Sequence, residues 1–399
     1  MIAEHLPALQ VVLPLVAAPL IVLLRRDTAA WLVATVVSIA AFGIAVALAI
    51  AVADAGAISY AIGSWPPPWG IEYRVDALSA FMLVLVAGTG ALVMPYARAS
   101  VAAEVPGHQV YLFYAMYCLC LAGLLGIVIT GDLFNIFVFM EISSLSTYVL
   151  IALGRQRRAL LAAFQYLIVG TIGATFYVIG IGLLYLVTGS LNIVDVAARL
   201  QNVTELRPLL AALAFITVGL GLKLALFPLH QWLPNAYAHA PSVVTTFLAA
   251  TATKVSVYVL IRFYFLVFGH TFALDGLPLR SLLVGLSAVA IVAMSLVALF
   301  QPDLKRMLAY SSVAQIGYIT LGIGLADQAG LTGGLVHIVN HALMKAALFP
   351  GVPRGVDGSI HLDDIRAYCN QQQASLNARL RDRFDKAGID TSSPIRLLT

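Results

Sequence analysis

GDLFNIFVFMEISSLSTYVLIAL, residues 131–153, decides the fold. It is a nearly continuous apolar run, long enough as a helix to cross a hydrocarbon core of about 30 Å, with Glu141 at its middle. An insertion scale sets a charged side chain at the bilayer centre at a penalty of about 2.5–3.5 kcal/mol, so such a group faces protein or water and has a partner. The chain supplies three candidate cations inside other apolar runs, Lys223, Lys254 and Lys345. Glu141 therefore has two readings, a buried carboxylate that only specifies helix packing or a member of a proton or ion path, and its position favours the path.

Working outward, the same character fills most of the 399 residues: 61% are hydrophobic and 11% charged, which excludes a soluble globular domain. Apolar stretches predict eleven spans, at 6–24, 30–53, 76–97, 110–130, 133–153, 159–187, 206–227, 242–268, 279–300, 307–325 and 331–350. The fold class is thus all-α, a polytopic integral membrane bundle of about eleven helices. The net charge of +4 forms no basic patch and gives no support to a nucleic-acid role. Basic residues gather on alternate connections, at Arg25 and Arg26, Arg98, Arg155, Arg157 and Arg158, then Lys305 and Arg306. The positive-inside rule then predicts an outside N-terminus and a cytoplasmic segment after the eleventh span. The first run lacks a basic n-region and is read as a membrane helix, not a signal peptide. SWPPPWG, residues 64–70, predicts a stiff, non-helical external loop with interfacial aromatics.

The chemistry lies in four places. Within GLGLKLALFPLHQWLP, residues 219–234, Pro228 follows Lys223 by five residues and predicts a broken or kinked seventh helix beside a buried lysine. Such breaks at membrane depth are tolerated where protein or a watery cavity surrounds them. Lys254 lies deep in the eighth span, too far from its ends for easy snorkelling. On the eleventh, His337, His341 and Lys345 recur at intervals of four and share one helix stripe. That stripe reads as a proton relay, as core histidines bonded to backbone, or more weakly as a zinc pair. His230 and His239 flank QWLPNAYAHAP and either line a proton inlet or cap helix ends. Asp132 and Asp76 read as helix caps, and Gly170, Gly173, Gly219 and Gly221 as sites of close helix approach. Cys118, Cys120 and Cys369 give neither a disulfide framework nor a metal signature. No nucleotide loop, haem or cluster ligand set is present, so no cofactor is expected, and any redox or nucleotide chemistry belongs to another chain.

Three strings, residues 131–154, GLKLALFPLHQWLPNAYAHAPSVVTTFLAATATKVSVYVLIRF at 221–263 and HIVNHALMKAALF at 337–349, resemble the proton-translocating antiporter-like subunits shared by multisubunit cation/proton antiporters and respiratory complex I. The GDLFN lead-in looks most like the D-type component of the Mrp-type sodium/proton antiporter. The resemblance runs to about Phe349, with GSIHLDDIR, residues 358–366, matching the connection beyond it. It implies a fourteen-helix subunit with two inverted five-helix repeats. Here that gives N-terminal helices over 1–109, a first repeat over 110–268, a partial second repeat over 269–350 and a polar cytoplasmic tail over 351–399. It also implies that Glu141 pairs with Lys223, and that Lys254, His337, His341 and Lys345 continue a polar axis at mid-membrane. The family's twelfth helix, with its broken segment and charge, has no counterpart here, so a truncated chain is expected.

The leading expectation is a proton-translocating subunit of a multisubunit Na+/proton antiporter in a prokaryotic inner membrane. Its partners would be further membrane subunits, protons, a monovalent cation and the bilayer. The alternatives are a proton-pumping subunit of a complex I-like or membrane-bound hydrogenase assembly, and a non-transporting structural fragment.

Overall fold

Where a segment is apolar on all sides, the backbone has no partner but itself, and an α-helix satisfies it internally. A computed structural model describes residues 3–276 and 278–350. The polar segment 351–399, with GSIHLDDIR and Cys369, lies outside the described residues. The helices are α1 (Leu6–Leu24), α2 (Asp27–Ala55), α3 (Ala77–Glu104), α4 (Val110–Ile129), α5 (Leu133–Ala152), α6 (Arg157–Thr188), α7 (Ile193–Leu200), α8 (Leu206–Leu224), α9 (Trp232–His239), α10 (Ser242–Ala250), α11 (Ala252–Ile261), α12 (Leu279–Leu299), α13 (Leu304–Leu325) and α14 (Gln328–Leu348). Two four-residue strands, β1 (Ile58–Ala61) and β2 (Glu72–Val75), form an antiparallel hairpin.

Among the described residues ten helical spans are long and apolar enough to cross a membrane, α10, α11 and the π turn Arg262–Val267 counting as one. The eleventh forms where the sequence places it, as the 21-residue α14, but its glycines, His337, His341 and Lys345 keep it out of that set. The perimeter is apolar: Leu32, Val36, Ile39, Leu160, Phe164, Val292 and Leu296 are all exposed. The interior holds α4 and the α10–α11 segment, and packed around them are α1 on α4, α4 on α5, α5 on α6, α6 on α8, and α12 on α13 followed by α14.

Caps fix where the helices begin. Asp76 and Ser79 form a reciprocal capping box at α3, and Asp132 accepts from the Asn135 amide (2.7 Å) at α5, as the sequence predicts. Asp303 and Asp327 do the same for α13 and α14. Close approach of α6 and α8 depends on Gly173 and Gly219: a Cβ on Gly219 would stand 2.7 Å from the Gly173 carbonyl oxygen.

Several boundaries differ from expectation for local physical reasons. The seventh span ends at Leu224, not at residue 227, because Ala225 turns left-handed (φ 60°) and the Leu226 amide bonds back to the Gly221 carbonyl (2.8 Å). Pro228 thus follows the break. The eighth span is interrupted at Thr251 (φ −122°, ψ −59°), a break for which the sequence carries no proline or glycine. Arg98, read as a connection residue, lies within α3, which runs through Pro95 to Glu104, and its guanidinium covers the Trp31 ring at 5.0 Å. Lys305, also read as a connection residue, is buried in the first turn of α13 and donates to the Ala240 carbonyl (3.2 Å). The hairpin encloses the proline loop, with Trp65 and Trp69 exposed, and neither it nor α7 was predicted.

Candidate functional site: a buried polar axis

The site begins where α8 breaks. Because the helix stops at Leu224, Lys223 occupies its last turn, and the freed Leu222 carbonyl is taken by the indole N–H of Trp232 at 2.8 Å. Lys223 is buried and its Nζ donates to Glu141 Oε1 (3.3 Å) and Ser144 Oγ (2.8 Å) on α5. The two residues are one helical turn apart, so a single face of α5 supplies both acceptors. The expected Glu141–Lys223 pair is therefore present. Its surroundings are hydroxyl-rich: Ser143, Ser144, Thr147 and Ser256 line a cavity of about 20 Å³ against Lys223, room for a water molecule. Ala252 and Ser256, two positions either side of Lys254 on α11, also line it.

Lys254 stands just past the Thr251 break. Its Nζ donates to the Ala249 carbonyl and approaches Thr253 Oγ1 (3.4 Å), so the interruption supplies an acceptor that an unbroken helix would have used internally. Next to it α10 packs on α14, where His341 lies within electrostatic reach of Lys254, Lys345 and His337. Both ring nitrogens of His341 lack a hydrogen-bond partner among the described residues, although the residue is fully buried. His337 bonds Gln315 Oε1 (2.6 Å), and its ring lies 6.3 Å from that of His341. Lys345 donates to the Leu308 carbonyl (2.9 Å) and Ser311 Oγ (3.1 Å). Six predicted residues thus fall into two groups, the pair at α5–α8 and the lysines and histidines at α10–α11 and α14.

The two flanking histidines separate. His230 follows the α8 break, stacks on Phe227 (5.4 Å) and meets Tyr310 edge-on (6.5 Å), leaving a buried Nδ1 without a partner among the described residues. His239 ends α9 in a cleft with Arg158, Gln165, Asn235 and Arg306. Burial and the charge of Arg158 hold its imidazole below the usual histidine range.

Sequence reasoning missed Ser144, Gln315, Ser311, Lys305 and a half-buried ion pair. In that pair Arg262 donates through two nitrogens to Asp76 (2.5 and 2.6 Å) and a third to Tyr258 Oη (3.0 Å). The signal for Ser144 was present, since it is three residues from Glu141 on one helix face. Arg262 carried a signal too, as a cation inside an apolar run, but its partner is 186 residues away.

Residues 130–374 match a protein family described as NADH:quinone oxidoreductase/Mrp antiporter, transmembrane. The chain belongs to this family. The matched range takes in all six residues of the axis, from Glu141 to Lys345. Among relatives of this antiporter-like family, NADH-quinone oxidoreductase subunit N of Desulforudis audaxviator is 45% identical over 349 residues, 86% of this chain and 69% of that one. The D-type component of the Na(+)/H(+) antiporter of Alkalihalophilus pseudofirmus is 30% identical over 321 residues, 80% of this chain and 64% of the relative. The family's solved structures share the fold. A chain of the archaeal membrane-bound sulfane sulfur reductase superposes with a TM-score of 0.81 at 32% identity, covering 87% of this chain and 70% of its own. A chain of the Mrp complex from a Dietzia species gives 0.78 at 29%, covering 88% and 64%. The chain therefore spans about two thirds of the length of the relatives it matches. It is a multi-pass membrane protein of antiporter-like fold.

Proposed function

We propose that this chain is the proton-translocating membrane subunit of a multisubunit monovalent cation/proton antiporter, with sodium as the expected cation. The observation that carries the reading is the pairing of buried Lys223 with half-buried Glu141 at a helix break, beside a cavity that fits one water and a second group of lysines and histidines. Two unit charges 3.3 Å apart attract by about 5 kcal/mol at an effective dielectric of about 20, and by about 2.4 kcal/mol at about 7 Å. Opening the pair by a few ångströms thus changes the stability of the lysine's charge by on the order of a hundredfold. That is comparable with the roughly 2.3 kcal/mol that 100 mV exerts on one charge, so a driving gradient and the pair's geometry can offset each other. Protons would pass from Glu141 and Lys223 through Lys254 to His337, His341 and Lys345, with His239 and His230 on the way in. The basic end of the bundle, holding Arg155, Arg157, Arg158 and Arg306, would face the cytoplasm in a prokaryotic inner membrane. Residues 110–268 would form one repeat and 269–350 part of its inverted counterpart.

A second reading, a proton-pumping subunit in a redox-driven complex I-like assembly, is favoured by the 45% identity to an NADH-quinone oxidoreductase component. Dye-monitored exchange in inverted vesicles from an antiporter-deficient host, carrying the chain with its native neighbouring subunits, separates the two. Sodium-dependent exchange, lost in Glu141→Ala and Lys223→Ala complexes that still assemble, supports the antiporter. Wild-type exchange in either variant rejects the path. An assembled complex without cation-dependent exchange that co-purifies flavin or iron–sulfur subunits moves the chain to the redox reading.

A further inference from the structure

Beyond the axis, the basic end of the bundle carries a second polar feature. Between α6, α9 and α13 lies a cleft of about 200 Å³ lined by Arg158, Gln165, Asn235, His239, Arg306 and Leu161, among others. Its charge is one-sided. Neither Arg158 nor Arg306 forms an ion pair with a carboxylate among the described residues, and the buried Nε of Arg306 has no hydrogen-bond partner there. The charge of Asp303 reaches His239, against the cations Arg158, Arg306 and Lys305. Its carboxylate is already engaged by the Arg306 backbone amide at 2.8 Å. Asn235 and Gln165 are tied to each other (2.9 Å), which leaves the remaining amide proton of Asn235 and both of those of Gln165 available as donors.

The cleft also opens beside an apolar stripe. Leu161, Phe164, Ile168 and Ile172 recur at helical spacing along α6, and each is exposed by 46% or more. A ligand that places an anion among the arginines and a hydrocarbon tail along this stripe satisfies both surfaces. A small soluble anion satisfies only the first.

We propose that the cleft between α6, α9 and α13 is a binding site for the phosphate headgroup of an anionic phospholipid, its acyl chains lying along Leu161, Phe164 and Ile168. Arg158 and Arg306 supply the guanidinium forks that match phosphate oxygens, and Gln165 and Asn235 supply neutral donors. The proposal rests on the cleft and its flank, not on which complex the chain serves. Its consequence is that a lipid phosphate stands against His239, at one end of the broken α8–α9 segment.

Native mass spectrometry of the purified chain and of its assembled complex, titrated with phosphatidylglycerol or phosphatidylcholine, tests the site. Wild type should retain one phosphatidylglycerol more than the Arg158→Gln/Arg306→Gln double variant, whose affinity should fall about tenfold or more. Gln165→Glu keeps both arginines but adds a negative charge, and should weaken binding in the same direction in a chain that folds. Phosphatidylcholine should not distinguish the three proteins, and millimolar inorganic phosphate should not displace the lipid. Equal retention of phosphatidylglycerol by wild type and both variants would overturn the site. Displacement by inorganic phosphate would make it a soluble-anion site and overturn the lipid assignment. Binding by the isolated chain but not by the complex would show that a protein partner covers the cleft, and would overturn it as well.

Discussion

Lys223 illustrates how a single buried charge is made tolerable. Its ammonium has two side-chain acceptors on one face of α5, and the 2.8 Å bond to Ser144 is shorter than the 3.3 Å approach to Glu141. A hydrogen bond to a charged group contributes about 1.5–3 kcal/mol. Ser144→Ala should therefore slow exchange about tenfold without loss of assembly, while Ser144→Thr, which keeps the hydroxyl, should stay within about threefold. The vesicle assay reads both. Asp76 offers a test on pH. Burial pushes its carboxyl up, but the Arg262 guanidinium, helped by Ser79, outweighs this and holds it at about 2. A carboxyl held low when folded contributes stability that is fully present above its unfolded value of about 4 and is lost as pH falls towards about 2. The contribution is on the order of 2 kcal/mol. Asp76→Asn should lower the melting temperature of the purified protein between about pH 5 and 7, and the gap from wild type should close between about pH 4 and pH 2. A gap unchanged across that range would sink the assignment.

Among the elements, breaks and close contacts matter more than the regular helices. The α8 break frees a carbonyl for Trp232 and turns the chain into α9, while the Thr251 break gives Lys254 its acceptor at Ala249. Both lysines thus sit where backbone dipoles are free of the helix ladder, as charge at membrane depth demands. The α6–α8 contact holds this geometry. A side chain at Gly219 would strike the Gly173 carbonyl at 2.7 Å and the Tyr177 amide nitrogen at 2.8 Å, neither of which can swing away. Gly219→Leu should separate the helices one turn from Lys223 and destabilise the protein by about 3 kcal/mol or more. A thermal melt of the purified variant within about 1 °C of wild type would refute that role.

At the scale of the whole molecule, the charge asymmetry between connections sets the expected orientation. Trp69, 87% exposed in the hairpin loop, belongs to the end opposite Arg155, Arg157 and Arg158. With the native cysteines replaced, a cysteine at Trp69 should react with an impermeant maleimide in intact cells, and one at Arg158 only in inverted vesicles. The reverse pattern would invert the topology and place His239 at the outer mouth of the axis. The candidate residues lie on α5, α8, α11 and α14, and in the second group the charges of Lys254, Lys345 and His337 reach His341. His341→Gln, at a buried ring with no hydrogen-bond partner among the described residues and beside Lys254 and Lys345, should lower exchange at least tenfold while leaving the melting temperature within about 3 °C. A large loss of stability instead would make it a packing residue.

Helix positions, the broken seventh span, the caps at Asp76 and Asp132 and the charged and histidine residues that lie inside the spans were legible in the sequence. Each leaves a local mark: an uninterrupted apolar run, a proline, a capping residue, or a charge where water is absent. Pairing was legible only through resemblance, because Glu141 and Lys223 are 82 residues apart and three cations compete for one carboxylate. Folding alone assigned Gln315 to His337 and joined Arg262 to Asp76. It also opened the eighth span at Thr251, where no residue type demands a break. Local chemistry determines which segments become membrane helices and which charges they bury. Which buried charges meet is decided by packing, since the partner that satisfies each one comes from another helix.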